Sequence, residues 1–373
     1  MAARGLEKLM TNNRTMFDDF RPTANWSNLR LRADMLRRLR EYFDSRGFLE
    51  VETPVLSAGT VIDRHLDPFR TDISPLPLGE GPGVRADGSG QWPVVSGQCE
   101  TASGKSPVPS PQPPVPRLWL QTSPEFHMKR LLAAGAGAIY QVARVFRQGE
   151  LGPLHNPEFT LVEWYRPGDG LDEGMQLTSE LCEAMLERGP AERMSYREAF
   201  ERYVGLDPHA ADAATLAAAV EKFGIQPPAT LAREDRDGWL DLLMVERVQP
   251  RLGFDRPVLL FDYPAGQAAL ARVRPGNPPV AERFELFVAG VELANGYHEL
   301  LDPDELRMRN ARTNAQRLAD GKPPLPEENR LLAAMRSGLP SSVGVALGFD
   351  RLVMLAAGAK TIAEVMAFPF DLA

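Results

Sequence analysis

The 373-residue chain is poor in cysteine, with only Cys99 and Cys182. Two cysteines so far apart give no disulfide framework and no zinc-ligand spacing, so neither a stapled secreted module nor a zinc domain is expected. Long apolar runs are also missing. The first twenty residues hold no apolar signal core, and no run approaches the roughly eighteen residues of a membrane helix. No signal peptide and no membrane span are therefore expected, and a reducing cytoplasm fits. Positive charge is in deficit: 42 Lys and Arg against 50 Asp and Glu leave a net charge of −8. That balance disfavours broad phosphate-driven binding, so no stable nucleic-acid partner is expected. There is also no Ser-His-Asp arrangement, no Walker loop and no dinucleotide fingerprint. With 43% hydrophobic and 25% charged residues, the remaining class is a soluble globular chain long enough for a large core.

What is present centres on Ile139 to Tyr165, IYQVARVFRQGELGPLHNPEFTLVEWY. Tyr140 to Phe146 is β-branched and aromatic, Phe159 to Tyr165 alternates, and Gly149, Gly152, Pro153 and Pro157 lie between. The pattern predicts two strands joined by a long turn. Alternation puts Phe159, Leu161, Glu163 and Tyr165 on one face, and Thr160, Val162 and Trp164 on the other. Arg147 stands where the first strand enters the loop. Taken alone, this is an ordinary hairpin with a surface arginine.

Residues 1–24 read as a loose polar arm. A helix follows from about Ser27, with Met35, Leu36, Leu39, Tyr42 and Phe43 inward, Gly47 as its stop, and Arg30, Arg32, Arg37, Arg38 and Arg40 on a solvated face. Residues 72–116 hold ten prolines, seven glycines and only six charged residues, a composition that predicts a disordered insertion between two core strands. Thr122-Ser123-Pro124-Glu125 then opens a helix, with a hydroxyl at the N-cap. In it, Glu125 complements the helix dipole, and His127 and Lys129 show no partner. Apolar stripes predict four helices between Leu177 and Val248. PVLLFD, from Pro257, reads as a buried strand. ERFELFV and VELANGYHEL form a hairpin about Ala289-Gly290. Strict alternation separates Glu292 from Glu299, and a bulge at Gly296 would bring them to one side. Near the C-terminus, Gly344 to Leu355 reads as strand, glycine turn and helix. Gly348 there leaves room for a flat ligand, and Arg351 in the first helical turn calls for an anionic partner.

Arginines and acids without a nucleophile suit chemistry in which the substrate supplies the nucleophile. Adenylation fits: a carboxylate attacks the α-phosphate of ATP, and the enzyme positions, neutralises and binds Mg²⁺. RADMLRRLREYFDSRGFLEVETPVL, VFRQGELGPLHNPEFTLVEWY and GVALGFDRLVML resemble motifs 1, 2 and 3 of class II aminoacyl-tRNA synthetases. TSPEFHMKRLL and VELANGYHEL are similar to the lysyl branch. Only about 25 residues precede motif 1, too few for the anticodon-binding domain of lysyl-tRNA synthetases. On that ground the chain resembles the elongation factor P–(R)-β-lysine ligase family. The resemblance implies an α+β fold: one catalytic domain over residues 25–373, mostly antiparallel sheet flanked by helices, dimeric through motif 1. It also implies ATP and Mg²⁺ as co-substrate and cofactor, lysine or (R)-β-lysine as substrate, and elongation factor P as the protein acceptor.

By the same resemblance, Arg147, Gln148, Gly149, Asn156, Phe159, Glu292, Leu293, Gly348 and Arg351 bind ATP. Arg147 and Arg351 act on its phosphates, and Glu292 helps to hold Mg²⁺. Ser123, Pro124 and Glu125 border the amino acid, while Glu163, Tyr165 and Glu299 take its distal ammonium. An ammonium enclosed by carboxylates and a phenol is a sound lysine detector, because its three donors need acceptors. Two positions depart from the broader pattern: the acid of motif 2 stands one residue late, at Glu150, and Ala346 replaces the glycine usual in lysyl synthetases. The alternatives are a truncated tRNA-charging enzyme and a non-catalytic paralogue that binds nucleotide or amino acid.

Overall fold

The computed structural model describes residues 20–72 and 117–373. Helix α1 (Trp26–Asp44) starts where the Asn25 side chain accepts the Asn28 N–H, and it buries Met35, Leu39, Tyr42 and Phe43. Gly47, at φ 76°, makes the left-handed turn that ends it. Strands β1 (Leu49–Glu50), β2 (Leu56–Ser57), β3 (Arg70–Asp72) and β4 (Arg117–Leu120) follow, then α2 (Glu125–Ala133), β5 (Ile139–Phe146) and β6 (Glu158–Pro167). Next come α3 (Leu171–Leu186), β7 (Glu192–Ser195), α4 (Tyr196–Tyr203), α5 (Ala213–Lys222), α6 (Arg236–Leu243), β8 (Val258–Pro264) and β9 (Val273–Arg274). The chain closes with β10 (Val280–Val288), β11 (Val291–His298), α7 (Pro303–Ala319), α8 (Arg330–Gly338), β12 (Ser342–Gly348) and α9 (Phe349–Ala356).

The main sheet runs β1-β5-β6-β12-β11-β10-β8-β7, with β9 on β10. Only the outer pairs β1·β5 and β7·β8 are parallel. This is the mostly antiparallel α+β architecture that the sequence led us to expect. One face of the sheet carries Val162, Trp164, Val343, Val345 and Leu347, packed with Met35, Leu39 and Phe43 of α1 and with Leu352 and Val353 of α9. Side chains at the alternating positions turn to the other face, where the cavity lies.

Four expectations change. Arg32 is not on a solvated face: it bonds Asp350 at 2.5 Å and Thr160 Oγ1 at 2.8 Å. The cap of α2 is Pro124 rather than a hydroxyl residue, although Ser123 Oγ accepts the Glu125 N–H at 3.0 Å. The strands flanking the Pro/Gly-rich insertion belong to a small sheet, β2-β4-β3, in which Asp72 pairs with Arg117. The disorder expected of the insertion falls on residues 73–116, and most of the arm on 1–19; both lie outside the described residues. Of the arm's end, Thr23 donates its N–H to the Ala367 carbonyl at 3.0 Å.

The fourth change concerns the β10·β11 hairpin. Ala289 and Gly290, at φ 50° and 76°, make the tight turn. The register slips beside it: Leu286 pairs with Ala294, but Phe287 pairs with Glu292, leaving Leu293 as the extra residue. One extra residue inverts alternation, so Glu292 joins Asn295 and Tyr297 on the cavity face. Gly296 is in register instead; its missing side chain admits the Phe284 ring, 2.3 Å from where a Cβ would stand.

Candidate functional site

A cavity of about 680 Å³ opens on the sheet face formed by β6, β12 and β11. That is the size of a small-molecule site. Phe159, Leu161, Glu163 and Tyr165 all line it, so the face assigned by alternation holds. Gly344, Ala346 and Gly348 pair across the ladder with Tyr165, Glu163 and Leu161. Gly344 has to be glycine, because a Cβ there would stand 2.2 Å from Tyr165 Cε1 and 2.3 Å from Glu299 Oε1. At Gly348 the nearest atom to such a Cβ is 3.7 Å away, leaving open backbone at the start of α9.

One end of the cavity is cationic. Arg351, in the first turn of α9, donates to the Glu292 carbonyl at 2.9 Å and the Leu154 carbonyl at 3.2 Å. Its remaining nitrogen donates to His155 Nε2 at 2.7 Å. Burial and the neighbouring Arg351 charge hold His155 below its ordinary pKa, which suits a neutral acceptor ring. Arg147 lies over the Phe159 ring, 4.9 Å from its centre, and 3.7 Å from Glu150 Oε1. The displaced acid of motif 2 therefore faces Arg147 within the cavity lining. Asn156 is 4% exposed. It donates to the Glu158 carbonyl at 2.6 Å and accepts the Phe370 N–H at 2.9 Å, fastening the C-terminal segment. Gln148 and Gly149 are exposed and outside the lining; the Gln148 N–H reaches the Asp67 carbonyl at 2.7 Å.

Glu292 and Leu293 also line this end. Burial pushes the Glu292 carboxyl up to about 7, the field of Glu285 adds to it, and Arg351 opposes it. Glu285 accepts from Tyr263 at 2.6 Å and from Arg283. A carboxylate oxygen of Glu292, with the Glu285 carboxylate close enough to act on it, is a hard donor of the kind that suits Mg²⁺. No group of three or more metal-ligating residues occurs among the described residues, so substrate or water oxygens would complete the shell.

The other end is acidic. Glu163, 2% exposed, lines it, whereas Glu299, 1% exposed, lies outside the lining. Ser123 Oγ donates to Glu163 Oε2 at 2.7 Å, and Tyr165 OH donates to Glu163 Oε1 at 2.6 Å. Pro124 is outside the lining, while Ser123 and Glu125 are in it. Burial pushes Glu163 up to about 7, with the Glu125 charge adding to it. Burial likewise pushes Glu299 up to about 8, opposed by Lys129 and reinforced by Glu125.

Lys129 corrects the sequence reading, which left it without a partner. Its Nζ lies 2.5 Å from Glu125 Oε1 and 2.5 Å from Glu299 Oε2. The Glu125–Lys129 half was legible as an i, i+4 pair; the half with Glu299 crosses elements. Glu285 and Arg283 were also missed. A segment at residues 61–66 borders the cavity. Arg317 pins it through the Asp63 and Leu66 carbonyls, at 2.7 and 3.1 Å. No local sequence pattern marks that role.

The model of the tRNA synthetases class II (D, K and N) matches residues 7–73 and 92–372. A Klebsiella pneumoniae protein named elongation factor P--(R)-beta-lysine ligase is 44% identical over 94% of this chain and 98% of its own length. Proteins of the same name from Vibrio vulnificus and Erwinia tasmaniensis are 42% identical over 95% of this chain and 43% identical over 94% of it, covering 99% and 98% of those relatives.

Proposed function

The chain belongs to the class II tRNA synthetase family, in the branch of the elongation factor P--(R)-beta-lysine ligases, and from that premise we propose that it adenylates lysine or (R)-β-lysine and passes it to a lysine ε-amino group of elongation factor P. One observation carries the substrate side. At the buried end of the cavity Glu125 and Glu163 line the wall, and the single ammonium of Lys129 pairs with Glu125 and with Glu299, which lies outside the lining. Negative charge is left over where a diamino acid would place its positive charge. When the ligand's ammonium groups bind, the burial-raised carboxyls release their protons to solvent and become anionic partners of those groups.

In this reading the amino-acid carboxylate oxygen attacks the α-phosphorus, its bond to the bridging oxygen breaks, and pyrophosphate leaves. The acceptor amine, having lost a proton, then attacks the acyl carbon; the bond to phosphate breaks and AMP leaves. Arg147 and Arg351 supply fixed positive charge at the cationic end, and Phe159 offers a ring face for adenine. Glu292, with Glu285 beside it, would hold Mg²⁺, which would screen the phosphate charge when bound. Leu293 and Gly348 border the nucleotide side. Gln148, Gly149 and Asn156 act on ATP through the loop they shape, and Pro124 through the placement of Ser123 and Glu125.

The chain is further proposed to be a cytoplasmic homodimer. Leu49 on β1, and Val55 and Leu56 at β2, are exposed apolar residues, and a second copy would cover them. No described helix is long and apolar enough to cross a membrane. Amino-acid-dependent ATP–pyrophosphate exchange tests activation. A mass increase of one lysyl unit on elongation factor P tests transfer. Exchange without that increase would refute the acceptor; absence of exchange with any diamino acid would refute the activity.

A further inference from the structure

We propose that Lys129 is a specificity-determining strut of the acidic end: its ammonium fixes the spacing of Glu125 and Glu299 and sets how many ligand ammonium groups the cluster takes. This role rests on the reading of that end as a diamino-acid pocket. Lys129 is 2% exposed. It joins Glu125, one turn earlier on α2, to Glu299, just past the end of β11. Each carboxylate commits one oxygen to Lys129. The second oxygen of Glu299 lies against the Gly344 backbone, 2.3 Å from where a Cβ would stand. Glu163 is held differently, by the neutral hydroxyls of Ser123 and Tyr165.

Two of the three carboxyls pair with Lys129 and Glu163 with hydroxyls only, so once all three are ionised two negative charges are unmatched. A ligand bearing two ammonium groups at the right separation completes the balance. A ligand bearing one leaves a buried carboxylate charged and unpaired, or forces a proton onto it. Sites that leave buried polar groups unpaired reject an analogue far more strongly than a pocket short of one methylene. Neutralising Lys129 both frees the two carboxylates to shift and adds a third unmatched charge, so discrimination by length and by charge should weaken together.

The test compares wild type with K129M and K129A in ATP–pyrophosphate exchange, using lysine, (R)-β-lysine, ornithine and 6-aminohexanoate. K129M should raise KM for the diamino acids about tenfold or more, leave KM for ATP within about twofold, and lower the lysine-to-ornithine ratio of kcat/KM about tenfold. In K129A, saturating ethylammonium should return that ratio toward the wild-type value, and this variant carries the test should K129M not fold. An unchanged ratio in K129M, equal losses for lysine and ATP, or no effect of ethylammonium on K129A would overturn the role. Wild type inert with every diamino acid would instead refute the pocket reading on which it rests.

Discussion

Arg32 Nη1 lies 2.5 Å from Asp350 Oδ1, joining α1 to the first turn of α9 across the buried face of the sheet. Asp350 Oδ2 accepts the Thr160 N–H of β6 at 2.6 Å, and Arg32 also reaches Thr160 Oγ1. Three elements thus meet at one carboxylate beside Arg351. Asp350 is 2% exposed, so removing its cation leaves a charge that water cannot reach. Arg32→Ala should cost on the order of 3 kcal/mol, measured by urea unfolding. It should also raise KM for ATP, because α9 carries Arg351. The pair Arg32→Met with Asp350→Asn should recover part of the stability.

Proton release should accompany lysine binding. In the free protein Glu163 and Glu299 are raised to about 7 and about 8, so below those values they hold protons that an ammonium must displace. Affinity should therefore rise from about pH 6 to about pH 8 and level off above, by at most about tenfold per pH unit per group. The stability sign agrees. A carboxyl raised on folding costs nothing below its unfolded pKa, and its destabilisation grows as pH rises from there through its folded pKa, levelling off above. Lysine should raise the melting temperature more at pH 8 than at pH 6. Calorimetry in two buffers of different ionisation enthalpy would count the protons; uptake, or none, would contradict the assignment.

The sequence exposed what depends on local periodicity. Alternation in β6 put Glu163 and Tyr165 on the cavity face, and the paired left-handed residues Ala289 and Gly290 marked the hairpin correctly. It failed where partners are distant in the chain. Arg32 looked solvated because Asp350 lies 318 positions away. Lys129 looked unpartnered because Glu299 arrives from just past the end of β11, far along the chain. The bulge at Leu293 was misplaced to Gly296 because glycine marks both bulges and close approaches; here Phe284 packs on it. Position-by-position roles came from family resemblance, which carries tertiary information that spacing alone lacks.

Gly344→Ala should separate the two ends of the cavity. The added methyl would meet Tyr165 Cε1 and Glu299 Oε1 at 2.2 and 2.3 Å, contacts that require one of them to move. Overpacking of this kind costs about 1–3 kcal/mol. If it falls on the bound amino acid, kcat/KM for lysine should drop by about 5- to 150-fold. ATP binding, measured without amino acid, should stay near wild type because Gly348 and Arg351 are unaltered. Equal losses in both would mean that β12 itself had shifted.

Glu299→Gln isolates the charge at the same end. The amide keeps the size of the carboxylate, so the Gly344 contact remains, but it leaves Lys129 with Glu125 alone as its anionic partner among the ion pairs it makes. A glutamine can turn its oxygen to Lys129 or to the ligand, and its amide N–H groups repel whichever ammonium they face. Loss of a charged hydrogen bond in a buried site is worth about 2 kcal/mol, or roughly 30-fold in the amino-acid dissociation constant. Binding of ATP should change by less than about twofold, since Glu299 lies away from Arg147 and Arg351. The pH dependence should also flatten near pH 8, because the most strongly raised carboxyl is gone, leaving the inflection of Glu163 near 7. Isothermal titration with lysine and with ATP at pH 6, 7 and 8 measures all three, and equal weakening of both ligands would contradict the distal-ammonium role.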